Sequence, residues 1–166
     1  MIHLHNMRGV EISKFKAVSS GVMTFEQLFG QGGFAEWIDN HENLLHTHMY
    51  EPTSFLWHEG AKETWGQGDN VLIYAVKENV TAQDVLPYTL IDFPGGLYLV
   101  ATGNELEGGD LNDTINCMMA WIENNDAFTY GDFPQSGMCN MPNPDGAFDK
   151  ALGIAQQQVY LPLKLK

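Results

Sequence analysis

The chain has 166 residues, enough for one domain whose core needs no metal or disulfide to hold it. Its apolar fraction, 44%, is ordinary, but 21 Asp and Glu stand against eight Lys and Arg, a net charge of −13. Such a surface repels phosphate backbones and anionic lipid, which argues against direct nucleic-acid binding.

The first residues, Met1-Ile2-His3-Leu4-His5, lack the apolar run of a secretion signal, and no stretch approaches the length of a membrane span. The expected setting is the cytoplasm, and the first 20 residues read as a tail and one strand. Phe15 to Gly21 supplies that strand. Thr24-x-x-Gln27 has the form of a capping box that opens a helix with Phe25, Leu28 and Phe29. Gly30, Gly32 and Gly33 break it. It resumes with Phe34, Trp37, Ile38, His41, Leu44 and Leu45, which share one face at helical spacing.

Phe55-Leu56-Trp57-His58-Glu59 reads as a strand, and Val71 to Val76 as a central strand covered on both faces. Glu78 to Pro87 is a connector, and Phe93-Pro94-Gly95-Gly96 a turn feeding a strand from Leu97 to Thr102. Asp110 then caps a helix whose stripe is Leu111, Ile115, Met118, Met119 and Ile122. Asn124-Asn125 is suited to end it in the left-handed conformation. From Gln158 onward, Val159, Leu161, Leu163 and Leu165 alternate with Gln158, Tyr160, Pro162 and Lys164. Pro162 has no N–H for a ladder, so the spacing predicts an edge strand or a bulge there. Cys117 and Cys139 lie far apart with no C-x-x-C spacing and read as free thiols.

The chain also echoes itself. Gly21 and Gly103 close similar strands, Trp37-Ile38-Asp39-Asn40 matches Trp121-Ile122-Glu123-Asn124, and Tyr74 aligns with Tyr160. Three anchors in one order predict an α+β fold of tandem β-α-β-β repeats with pseudo-twofold symmetry. The expected architecture is a single domain over residues 1–166, with halves of about 10–77 and about 88–166. Its antiparallel sheet would carry helices on one side and a central ligand cleft.

The stretch Asp92-Phe93-Pro94-Gly95-Gly96-Leu97-Tyr98-Leu99-Val100-Ala101-Thr102-Gly103 resembles the second-half strand of gyrase-inhibitor-like domains. These are the effector-binding domains of many AraC-type and MerR-type transcription regulators. Ile73-Tyr74-Ala75-Val76, Trp121-Ile122-Glu123 and Val159-Tyr160-Leu161-Pro162-Leu163 resemble their other strands and second helix, so the likeness runs from about Val10 to Lys166. The resemblance implies a solvent-accessible central cavity that takes amphipathic, often cationic, aromatic molecules, met by an acidic side chain and several rings. Some relatives hydrolyse cyclopropane-bearing compounds, and one inhibits DNA gyrase. Two features depart from that pattern. No helix-turn-helix fits, so a stand-alone or excised sensor domain is expected. Gln158 stands where the family often has Glu, and a neutral amide cannot act as a general acid.

The candidate ligand-binding residues are therefore Trp57, Tyr74, Tyr98, Trp121, Gln158 and Tyr160, with Glu59 as the acid nearest Trp57 in sequence. Tyr74 and Tyr160 are expected at equivalent positions, approaching a shared axis. For Trp37 and Trp121, both on amphipathic helices, core packing is the plainer role. His46-x-His48 with Glu51 is too weak a pattern for a metal site, and no phosphate-binding loop or nucleophile elbow appears, so no metal and no cofactor is expected. The reading is a binding module for a small amphipathic or cationic aromatic effector, not an enzyme. A small-molecule hydrolase and a protein-interaction module are its rivals.

Overall fold

The computed structural model describes residues 4–46, 53–59, 69–102, 111–140, 151 and 157–166. In chain order these form β1 (His5–Ile12), β2 (Phe15–Ser19), α1 (Phe25–Phe29), α2 (Phe34–Asp39), β3 (Ser54–His58), β4 (Asn70–Ala75), β5 (Thr89–Phe93), β6 (Gly96–Thr102), α3 (Leu111–Asn124), β7 (Phe128–Tyr130), β8 (Met138–Asn140) and β9 (Gln158–Leu165). The fold is α+β, and the strand pairs below are antiparallel. No described helix is long and apolar enough to cross a membrane.

The chain divides into two compact units. One is Ser13–Gly95; the other joins Met1–Ile12 to Gly96–Lys166. In Ser13–Gly95 the strands lie in the order β3-β4-β2-β5. The capping box is present: the Thr24 hydroxyl accepts from the Gln27 amide while the Gln27 side chain accepts from the Thr24 amide. The glycines separate α1 from α2 as expected. One face of the sheet packs on the helices through Val18, Leu72 and Val76 against Leu28, Phe34 and Ile38.

α2 is shorter than the apolar spacing suggests. It stops at Asp39, and Glu42–Leu44 form only a 3-10 turn. The Trp37 carbonyl would accept the backbone N–H of His41 in a continued helix. It accepts His41 Nδ1 instead, at 2.7 Å, and the His41 amide goes to Ile38. The imidazole stacks on Trp37, with ring centroids 4.0 Å apart.

In the other unit the order is β1-β6-β9-β8, with β7 also pairing β9. The residues read as a tail thus make β1, paired with β6 from His5↔Thr102 to Ile12↔Gly96. The stripe of α3 packs as expected: Ile115, Met118, Met119 and Ile122 lie against Leu99, Ala101, Val159, Leu161 and Leu163. Its C-terminus differs from the expectation. Asn6 is the one non-glycine residue with positive φ among those described, so neither Asn124 nor Asn125 is left-handed. The Asn125 side chain ends the helix instead: Nδ2 donates to the Ile122 carbonyl at 2.7 Å, and Oδ1 accepts from the Phe128 amide at 2.6 Å.

Pro162 also differs from expectation. β9 is flanked by β6 on one side and by β8 and β7 on the other. The Pro162 carbonyl accepts from Gly131, on the β7 side. The proline nitrogen faces that same side, in the gap between the β8 ladder at residues 158–160 and the β7 ladder at residues 163–165. The missing donor therefore falls where no ladder bond is due.

Candidate functional site

In each unit one sheet face carries the helices and the other does not. The helix-free face of Ser13–Gly95 is built from rings. Phe15 and Phe93, neighbours across β2 and β5, stack with centroids 4.8 Å apart. Phe55 lies 6.0 Å from Phe93, and Trp57, two residues further along β3, lies 6.4 Å from it. Phe55, Trp57 and Phe93 are buried. The Trp57 indole N–H donates to the Glu59 carboxylate at 3.3 Å. An electron-rich ring edged by an acid is a combination that attracts an organic cation.

Phe15 and Phe93 also border a cleft of about 370 Å³, together with Lys14, Lys16, Glu78 and Asp92. Lys16 Nζ donates to the carbonyls of Glu78 at 3.0 Å and Val80 at 3.3 Å.

The helix-free face of the second unit carries Tyr98 and Tyr160, both buried, edge to face at 6.3 Å. The Tyr98 hydroxyl donates to the Phe133 carbonyl at 3.4 Å. Gln158, two residues from Tyr160, accepts from Arg8 Nη2 at 3.0 Å. Around them stand Thr102 and Asn140, the cross-strand partners of Gln158, both buried.

Of the candidates from sequence, Trp57 and Glu59 meet in one unit, and Tyr98, Tyr160 and Gln158 share a face in the other. Tyr74 lies on the helix side of its sheet, 6.1 Å from Phe34. Burial raises its hydroxyl pKa, with the Asp39 carboxylate adding to the rise and a Ser54 hydrogen bond opposing it. Tyr74 is therefore not the counterpart of Tyr160. It pairs with Val18, which packs under the helices, whereas Tyr160 pairs with Val100, between the helix-facing Leu99 and Ala101. An alignment one residue out inverts every side chain of a strand. Trp121 is 37% exposed and stands outside the α3 stripe that meets the sheet.

Phe15, Phe55, Phe93 and Arg8 were not among the candidates. The Phe55-Leu56-Trp57 alternation signals Phe55, by placing it on one face with Trp57. Arg8 needed β1 to be read as a strand. Among the described residues no three His, Cys, Asp or Glu side chains are grouped to hold a metal ion. His48 and Glu51 lie outside those residues, as do Trp65, Glu63, Glu105, Glu107, Asp110 and Met141. Burial pushes the Cys139 thiol up to about 11, so it is no thiolate nucleophile at neutral pH.

Burial also pushes the hydroxyls of Tyr98 and Tyr130 up to about 12. In the unfolded chain they ionise near the ordinary value of about 10. Their neutral forms thus favour the fold fully below pH 10, and that contribution is lost as pH rises through 12. Tyrosinate absorbance should show Tyr98 and Tyr130 titrating late, together with unfolding, with Tyr74 also raised. Titration of all six near pH 10 on a folded chain would contradict the burial.

The fold is shared with solved proteins. It matches SAV2435, solved bound to tetraphenylphosphonium, at 12% identity and TM-score 0.57, over 96% of this chain and 94% of that one. It matches EcmrR, solved by cryo-EM in a DNA complex, at 14% identity and TM-score 0.67. That match covers 96% of this chain, which spans 57% of the EcmrR chain. No protein-family model and no curated protein matches the sequence.

Proposed function

We propose that this chain binds a small amphipathic aromatic molecule, cationic where it meets Trp57, and works as a sensor domain without turnover. The observation that carries this is the ring face of Phe15, Phe55, Trp57 and Phe93 with Glu59 at the indole edge. A cation over one such ring gains about 0.5–2 kcal/mol, more when desolvated. The fold's likeness to a protein solved with tetraphenylphosphonium supports the ligand class, and its likeness to one solved on DNA supports a regulatory setting. The strand orders support an internal duplication. In Ser13–Gly95 β2 lies between β5 and β4, and in the other unit β6 lies likewise between β1 and β9. The neutral Gln158 supports binding rather than hydrolysis.

Trp57 and its neighbours are buried, so the ligand enters only after a local opening. Titration with tetraphenylphosphonium and cationic dyes, followed by Trp fluorescence, should give saturable binding. Its observed rate should level off at high ligand concentration as opening becomes limiting. Trp57→Ala should weaken affinity about tenfold or more. Silence across the panel, or affinity unmoved by Trp57→Ala, would reject the proposal.

A further inference from the structure

The cleft of about 370 Å³ is lined only by residues of Ser13–Gly95, where β2 begins and β5 ends. Lys16 and Asp92 oppose each other across those strands, each two residues from a side chain of the helix-packed core, Val18 or Leu90. They therefore stand on the helix-bearing face of the sheet, opposite the face of Trp57. Phe15, whose half-buried ring belongs to the other face, borders the cleft at the strand end.

A lysine and an aspartate directly opposite on antiparallel strands ordinarily pair. These two do not. Lys16 Nζ turns instead to the carbonyls of Glu78 and Val80, at 3.0 and 3.3 Å. That fixes the ammonium at the cleft and leaves it a third N–H. Among the described residues no hydrogen bond or ion pair engages the Asp92 carboxylate or the Lys14 ammonium, and both residues are exposed. One cleft thus offers charges of both signs that do not neutralise each other.

We infer that this cleft is a binding site for a zwitterion of the α-amino-acid type with an apolar side chain. The ligand's ammonium meets Asp92. Its carboxylate meets Lys14 and the third N–H of Lys16, and its side chain lies against Phe15. A ligand of one sign does worse, because a lone cation also meets two lysines and a lone anion also meets Asp92 and Glu78. The volume lies at the small end of ligand pockets and suits a molecule of that size. The inference stands apart from the reading of the Trp57 face, and neither depends on the other.

Amide NMR shifts of the full chain, titrated with L-phenylalanine, phenethylamine and 3-phenylpropionate, test this. The second probe lacks the carboxylate and the third lacks the ammonium. Phenylalanine should saturate with a Kd of about a millimolar, since exposed ion pairs are weak, and its shifts should centre on Lys14, Phe15, Lys16 and Asp92. Each single-charge probe should bind about fivefold more weakly. Asp92→Asn should weaken phenylalanine and phenethylamine about fivefold and spare phenylpropionate. Lys14→Met should do the mirror of this, weakening phenylalanine and phenylpropionate and sparing phenethylamine. Both side chains are exposed, and the opposite selectivities within each variant keep the result independent of any change in stability. Equal affinity for the three probes would overturn the inference. So would shifts centred elsewhere, phenylalanine unmoved by either variant, or no saturation by about 20 mM.

Discussion

Phe93→Ala is expected to lower stability by about 3–5 kcal/mol, the cost of truncating a fully buried ring. Phe93 has no exposed surface and is stacked against Phe15, with Phe55 and Trp57 within 6.4 Å. Those neighbours are ring systems held on two strands, β2 and β3, so none can swing over to fill the space. Phe29→Ala is the control. That ring is 55% exposed on α1 and among the described aromatics stacks only with Phe25, so its loss should cost under about 1 kcal/mol. Urea unfolding of the two variants side by side measures the difference. Comparable losses would mean that the ring face is not packed as described. Phe93→Ala should also loosen the hold on Trp57, so ligand affinity should fall with stability in that variant and stay near wild type in Phe29→Ala.

The second large effect separates two reasons for a glycine. At Gly33 an added Cβ would lie 2.6 Å from the Gln27 carbonyl oxygen, 2.8 Å from that of Gly30 and 3.0 Å from that of Leu28. All three obstacles are backbone, and Gly33 has φ of −80°, which any residue adopts. Space alone forbids the change there. Gly33→Ala must therefore pry α1 from α2, at a cost of about 3 kcal/mol. At Gly21 the opposite holds: nothing stands within 4 Å, but φ is +69°. Gly21→Ala should cost about 1–2 kcal/mol, all of it conformational. Thermal unfolding followed by far-UV circular dichroism ranks them, and a Gly33→Ala as mild as Gly21→Ala would refute the close approach.

Local chemistry was legible in the sequence wherever it closes over a few residues. The Thr24–Gln27 box, the glycine break before Phe34 and the α3 stripe all form as their spacing dictates. What escaped was the outcome of competition between local and distant partners. The helical spacing through Leu45 is real, yet His41 trades its own backbone bond for a side-chain one and ends α2 early. Asn125 ends α3 with its side chain, where composition alone suggests a left-handed turn. β1 lacks a strongly apolar alternation, because its partner β6 supplies the burial, so it read as a tail. The candidate site suffered most from a small error. Matching Tyr74 to Tyr160 put the first on the wrong face, since strand sequences of similar composition do not declare their register. Trp57 and Tyr98 were placed without that alignment, and they, Tyr160 and Gln158 lie on helix-free faces.

The chain enters one unit with β1, leaves it after Ile12, completes the other with Ser13–Gly95, and returns at Gly96. During synthesis β1 therefore waits unpaired until β6 emerges, while Ser13–Gly95 already holds all its strands. Its Gly9, Arg8 and Glu11 keep that waiting segment poorly suited to sticking elsewhere. Proteolytic clipping ahead of Ser13 would spare Ser13–Gly95 and bare the flank of β6, an apolar strand whose open backbone would invite β-pairing between molecules.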